Sequence, residues 1–422
     1  MKKNYFLLVM MFLSITSFSQ RVILVNGGQF GNQSENANVI VYDVQTKTHQ
    51  VIDTIHTQSV QDVLIEGDNV YVAAQDSIVR YQVLTNGSGS RVSAEAFPGV
   101  STKTFAISGN DLLVGNWYAQ SSDNLYIYDK FNLNVLDTIS DVSKGAISIV
   151  THQGFAYISQ NSQTTSYTDT LGYIIKLDVA NRTIVDTITV NGYTEDIGQL
   201  HIDPLTNTMW SINSGSNTIS TINLTTLAAT NTLINADLKV GNLSQMHVLN
   251  DTLFAKMNNG IGSIHLGLLD TISTNIIDTV VTAFAYDASQ AKFYVTQTDF
   301  FSYASGKVYN RSGNKLDTFV VGYSPEVIRM QYDPPVGIAE FNNNSQSTFQ
   351  LFPNPASQTV NVKGDNASFN QLRIFDLAGK LVFQETIRQE EVVLNVSELP
   401  RGIYVVQLSN QVERLNKKLI LK

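Results

Sequence analysis

Apolar and polar positions alternate through most of this chain, and short polar turns break the alternation at regular intervals. The stretch MWSINSGSNTISTIN, Met209 to Asn223, shows the unit. An apolar run ends at Asn213, Ser-Gly-Ser-Asn turns the chain, and ISTIN resumes the alternation. A period of two on both sides of a tight turn predicts strand, loop, strand. The same phrase recurs as VILVN (22–26), VYVAA (70–74), LLVGN (112–116), AYISQ (156–160), MWSIN (209–213), LFAKM (253–257) and FYVTQ (293–297). The last residues of these runs lie 48, 42, 44, 53, 44 and 40 apart. A four-stranded propeller blade takes about 40–45 residues, so the period predicts a seven-bladed ring.

The flanking segments fill in each blade. A strand ending in a turn precedes each run after the first, as in VLIEGDN and LHIDPLTN, and a third follows, as in VIVYD (39–43), LYIYD (125–129) and IIKLD (174–178). Asp43, Asp129 and Asp178 stand where a short carboxylate accepts hydrogen bonds from the next turn. A fourth strand carries a recurrent apolar-Asp-Thr-apolar signature: IDTI (52–55), LDTI (136–139), VDTI (185–188) and LDTF (316–319). In the sixth unit LDTI (269–272) and IDTV (277–280) compete for that place. Strand counting leaves blade 1 without an innermost strand, and PEVIRMQYD (325–333) is left over at the far end. The expected solution is that this last strand completes the first blade and removes its open edge.

MWSINSGSNTISTIN and FYVTQ resemble the YVTN-type (YncE-like) propeller repeat over roughly residues 21–335. LVNGGQFGNQSENANVIVYD (24–43) resembles the opening blade of secreted bacterial propellers, some of which are surface cobalamin-binding proteins. Lys2 and Lys3 followed by an apolar core from Tyr5 to Ile15 read as a signal peptide over residues 1–20, cut at about Gln20. Its apolar run is shorter than the ~20 residues a spanning helix needs. The chain has no cysteine, which excludes disulfides, thiolate metal sites and a lipidated cysteine.

Residues 336–348, VGIAEFNNNSQST, are polar and aperiodic and read as a linker. Short alternating strands with Asn-Pro, Ala-Gly and Arg-Gly turns then predict a small Ig-like β-sandwich over 349–422. PNPAS, DLAGK, LPRGIY and the basic tail of this segment resemble the type A C-terminal sorting domain of the type IX secretion system. That resemblance implies the type IX machinery as partner, passage across an outer membrane, and release or attachment at the cell surface. The whole is therefore expected to be all-β: a seven-bladed β-propeller followed by a small sorting sandwich.

Charge divides at the same boundary. Residues 349–422 hold nine basic and seven acidic residues; setting these and the two signal lysines aside leaves 16 basic and 29 acidic, or −13. An acidic propeller lacks the basic footprint that nucleic acid demands. No calcium loop, HExxH, GxSxG or phosphate-cradling glycine loop occurs, so no catalytic residue, metal or cofactor is assigned. His201 and His247 fall at similar places in innermost strands, but two ligands do not make a metal site.

The Asp-Thr pairs admit two readings, structural pairing on an outer strand and an O-glycan acceptor motif of bacteria with this secretion system; the structural one is preferred. Five of the second strands end in amides, Asn26, Asn116, Gln160, Asn213 and Gln297. Ring geometry places them on one face, where they either line a ligand site or hold the following loops. The loops of blades 1, 3, 4 and 7 are long: 27–36, 117–123, 161–170 and 298–306. They carry Phe30, Trp117, Tyr118, Tyr167, Phe300, Phe301 and Tyr303. Aromatic walls over an amide floor would suit a large, flat, amide-bearing ligand of corrinoid type. The expected function is a surface binding protein for such a ligand or for a surface glycan, and not an enzyme. A lactonase-like hydrolase and a docking module without a small ligand are the alternatives.

Overall fold

The computed structural model describes residues 20–332 and 349–422, apart from 30, 33, 85, 98–101, 117–124, 143–144, 161–172, 191–196, 205, 241–245, 250, 365–370, 377–380, 388–390 and 410–413. The chain divides between Asp333 and Pro334 into two compact units. The first contains seven antiparallel four-stranded sheets, and in six of them the strands follow one another in sequence. The exception is the closing blade, in which Pro325–Tyr332 pairs with Gln20–Asn26, followed by Ala37–Asp43 and His49–Ile55. The strand left over at the end of the repeat thus completes blade 1, in register from Gln20↔Tyr332 to Val25↔Val327, with a shift that leaves Glu326 over before Asn26↔Pro325.

The innermost strands of blades 2 to 7 are Asp62–Glu66, Thr102–Ser108, Ala146–His152, Gln199–Asp203, His247–Leu249 and Ala283–Asp287. Alternate side chains on the second strands enter different inter-blade cores. Ile23 and Val25 join the cluster shared with Val63, Val72 and Tyr81 of blade 2. Val22 and Leu24 join Ala285, Tyr294 and Phe319 of blade 7. A strand buried on both sides keeps its apolar character at every position, and this accounts for the short continuous apolar runs in the sequence.

Two recurrent sequence features acquire a structural cause. Asp43 accepts backbone hydrogen bonds from Gln45 (2.9 Å) and Thr46 (2.8 Å), and Asp129 does the same for Phe131 (2.8 Å) and Asn132 (3.0 Å). Asp178 and Asn223 cap their turns likewise, and four residues after each of these four the chain turns left-handed, at Lys47, Leu133, Arg182 and Leu227. The Asp-Thr signature marks a β-bulge. Val39 and Ile40 face Asp53 and Val51, so Ile52 is the extra residue; Leu136, Val185 and Leu316 are its counterparts. The bulge-side carboxylate accepts the next N–H at Thr138 (2.8 Å), Thr187 (2.8 Å) and Thr318 (2.9 Å). In blade 6 the outer strand is Asp270–Ile277, so it begins within the first of the two competing motifs.

The second unit has a three-stranded sheet of Phe349–Phe352, Thr359–Gly364 and Glu391–Asn395. A four-stranded sheet holds Leu381–Thr386, Gln371–Asp376, Gly402–Ser409 and Arg414–Leu421. Its core includes Phe349, Val360, Leu372, Ile374, Val406 and Leu419. PNPAS is a clasp on the last strand. Asn354 donates to Lys418 O (2.7 Å) and accepts from Ile420 N (2.9 Å), while Ala356 N donates to Ile420 O (2.8 Å). In LPRGIY, the Tyr404 hydroxyl donates to Pro400 O (2.5 Å), a corner that fixes the entry to Gly402–Ser409.

Candidate functional site

The amides stand at or just past the ends of the second strands, and Asn213 and Gln297 have hydrogen-bond partners at every polar atom of their side chains. Asn213 is buried and takes Ser211 Oγ (2.7 Å) and Gly198 N (3.3 Å) on its oxygen. Its nitrogen donates to Thr218 Oγ1 (3.1 Å) and Ser220 Oγ (2.8 Å). Asn26 is buried and donates to Asn38 Oδ1 (2.7 Å), in a space that Gly322 leaves open: a Cβ there would lie 2.8 Å from Asn26 Nδ2. Asn116 and Gln160 are buried too. Gln297 is half-buried just past the strand end; it accepts Lys307 Nζ (2.6 Å) and donates to Thr279 Oγ1 (3.0 Å) and to Val280 O. Asn213 and Gln297 thus hold neighbouring segments, whereas Asn26 Oδ1 and Gln160 Nε2 are buried without a hydrogen-bond partner among the described residues.

Of the seven loop aromatics, three lie among the described residues. Phe30, Trp117, Tyr118 and Tyr167 lie outside the described residues. Phe300, Phe301 and Tyr303 are 41%, 57% and 68% exposed. The turn that carries them is built by Asp299, whose carboxylate accepts Phe301 N (2.9 Å), Ser302 N (2.8 Å) and Ser302 Oγ (2.9 Å). The backbone donor of Phe301, then the hydroxyl and N–H of Ser302, hold the Asp299 carboxyl below its usual range. Phe300 sits at φ +68°, an unusual conformation for a bulky residue. Tyr303 is not in the loop, as the sequence suggested: it opens the strand Tyr303–Asn310 and its ring packs 4.1 Å from that of Tyr323.

A second concentration of polar groups lies in the channel formed by the innermost strands, and sequence reasoning missed it. A cavity of about 340 Å³ is lined from five blades, by residues including Asp62, Thr104, Ser148, Gln199 and Arg329. Arg329 Nη2 donates to Asp62 Oδ1 at 2.7 Å. Asp62 is itself fixed by Val63 N (2.8 Å) and Phe105 N (3.3 Å). Burial pulls the Arg329 pKa down while Asp62 opposes the shift. His247, on the innermost strand of blade 6, feels the Arg329 charge: burial and then that charge push its pKa down to about 4, although its bond to Phe284 O (3.2 Å) opposes them. His201 stacks on Trp210 with ring centroids 6.1 Å apart. Among the described residues, no group of three or more His, Asp or Glu side chains is placed to hold a metal ion.

At the closing seam Glu326 is buried, accepting Ser324 Oγ (2.6 Å) and Val60 N (3.1 Å). Burial raises its pKa against both hydrogen bonds. Gly27 packs directly against it: a Cβ there would meet Glu326 Oε1 at 2.1 Å, so a larger residue would displace the carboxyl from its partners. The available signal for these residues was a charged side chain inside a strand assigned to the innermost position, as at Arg329 in EVIRMQY.

Residues 350–422 match the secretion system C-terminal sorting domain family. No curated protein sequence matches the chain. Among solved structures, the periplasmic gluconolactonase PpgL of Pseudomonas aeruginosa is similar at 13% identity. It covers 75% of this chain and 100% of its own, with a TM-score of 0.57. The extracellular domain of a hybrid two-component system from B. thetaiotaomicron is similar at 10% identity over 96% of this chain and 58% of its own, with a TM-score of 0.50. At such identities the likeness concerns the fold. The chain is a seven-bladed β-propeller followed in sequence by a secretion-system C-terminal sorting domain.

Proposed function

We infer that this is a secreted protein carried to the outer cell surface by the type IX machinery, and that its propeller captures an amphipathic ligand of corrinoid type. Delivery rests on the family match of residues 350–422. Capture rests on one observation: Phe300, Phe301 and Tyr303 stand exposed beside a turn that Asp299 fixes with three hydrogen bonds. Rigid aromatic rings held away from any core supply contact area at low entropic cost, which is what a binding hot spot needs.

The test is calorimetric titration of the full chain with cobalamin, beside Phe301→Ala and Tyr303→Ala. Each substitution is expected to weaken binding by about 2 kcal/mol or more while leaving the unfolding midpoint near that of the parent. Absence of heat from the parent chain refutes the corrinoid ligand; unchanged affinity in both variants refutes the site. Turnover of gluconolactone followed by acid release would favour the hydrolase reading, and binding of surface glycans alone would favour docking. Cells carrying a chain without 349–422 should lose the protein from their surface.

A further inference from the structure

The channel holds chemistry that neither the aromatic loop nor the sorting domain uses. A guanidinium has five N–H donors in a planar fork. One donor of Arg329 goes to Asp62, and a second reaches only the Ile328 carbonyl at 3.5 Å, the limit of a hydrogen bond. Its side chain is 25% accessible and that of Asp62 15%, and both line the cavity. Asp62 is by contrast held firmly, by the backbone N–H groups of Val63 and Phe105.

Among the described residues that line the cavity, Asp62 and Arg329 are the charged ones, and their charges cancel. His247 is neutral near pH 7 because burial and Arg329 keep its pKa near 4. Gln61, Thr104, Ser148 and Gln199 are uncharged, and Leu64, Phe105, Val150 and Met330 supply apolar wall. An ion with a single charge entering this partly desolvated channel would leave one charge unbalanced, which costs more there than in bulk water. A ligand bearing one charge of each sign leaves none. A volume of about 340 Å³ falls at the lower end of the range for small-molecule sites.

We propose that the channel binds a small zwitterion of the α-amino-acid class, its carboxylate on the remaining donors of Arg329 and its ammonium toward Asp62 and Thr104. The planar fork of arginine suits a carboxylate. The side chain of the ligand would lie against Leu64 and Val150. This site is separate from the aromatic loop and does not depend on it.

The experiment is a titration of the full chain with glycine, L-alanine and L-valine, against propionate and ethylamine, which carry one charge each. The zwitterions should bind at least tenfold more tightly than either control. Arg329→Gln should abolish binding. Asp62→Asn keeps an acceptor beside Arg329 but removes the negative charge, so preference should pass to propionate; a merely structural ion pair would show no such exchange. Val150→Phe fills the cavity with the pair intact and should block entry, and Phe301→Ala should leave amino-acid binding unchanged. No binding by the parent chain, equal binding of propionate, or an unaltered preference in a folded Asp62→Asn protein each overturns the proposal. The comparison among ligands on the parent chain decides even where a variant fails to fold.

Discussion

Ring closure by Pro325–Tyr332 makes a quantitative demand. Seven residue pairs join this strand to Gln20–Asn26. An antiparallel pairing of that length carries roughly seven backbone hydrogen bonds, each worth about 1 kcal/mol net. Val327 and Ile328 are fully buried, and each adds about 1.5–3 kcal/mol from burial. The total, about 10–13 kcal/mol, matches the entire stability of a typical domain, about 5–15 kcal/mol. Deleting 325–332 should therefore open the ring.

A graded version separates the two seams. Val327 packs in the core shared with blade 2, and Ile328 in the core shared with blade 7. Ile328→Ala should cost about 2–5 kcal/mol. Val327 and Ile328 are neighbours on one strand, so the departure of the double variant from the sum of Ile328→Ala and Val327→Ala measures how far the two seams are coupled through it. Urea unfolding followed by tryptophan fluorescence is the assay. The only tryptophans, Trp117 and Trp210, are both in the first unit, so the sorting domain is silent. With a slope of about 3 kcal/mol/M, a loss of 3 kcal/mol moves the midpoint by about 1 M. A deletion variant with the parent midpoint would refute closure by this strand.

Two further outcomes follow from buried polar groups. Asp53 accepts the hydroxyl of fully buried Tyr81 (2.8 Å) and Arg91 Nε (2.6 Å), so Asp53→Ala should cost about 1–3 kcal/mol; in urea unfolding the loss should shrink in a Tyr81→Phe background, and Asp137→Ala should cost less. His247 titrates near 6.5 unfolded and about 4 folded, so the unfolded chain takes up its proton first, and the stability present above pH 6.5 is lost as pH falls toward 4. His247→Gln should flatten that acid limb, by at most about 3 kcal/mol, in midpoints measured from pH 7 to pH 4.

The blades were legible because each half of the evidence is local: a period of two within a strand and turn chemistry within a few residues. Closure was legible by counting. The Asp-Thr bulge was not, because a bulge is a mismatch between two strands and neither strand alone displays it. The amide ring shows a different limit. Position followed from the repeat, but whether an amide faces a ligand depends on its neighbours' side chains. The partners of Asn213, Thr218 and Ser220, were in view five and seven residues on; their alternation placed them on the same side as the amide. Tyr303 was read as loop because YASG lacks apolar alternation, whereas the strand there is set by pairing with Tyr323 and Val320.

The Asp62–Arg329 pair lay beyond local reading for a topological reason: 267 residues separate its members, and only the closing strand brings them together. The strand that closes the ring also supplies the cation of the channel, and this links the two. A ligand that binds only the closed ring stabilises it by mass action. An amino acid held at Arg329 should then raise the urea midpoint of the parent chain in proportion to the logarithm of its concentration above Kd. The chain lacking 325–332 has no such site and should show no increment at any concentration. Arg329→Gln retains the strand, and with it the ladder and the buried Val327 and Ile328, so its ring should close while its midpoint stays insensitive to the ligand. An Arg329→Gln protein whose midpoint still climbs with amino-acid concentration would place the ligand elsewhere, whatever the closing strand does.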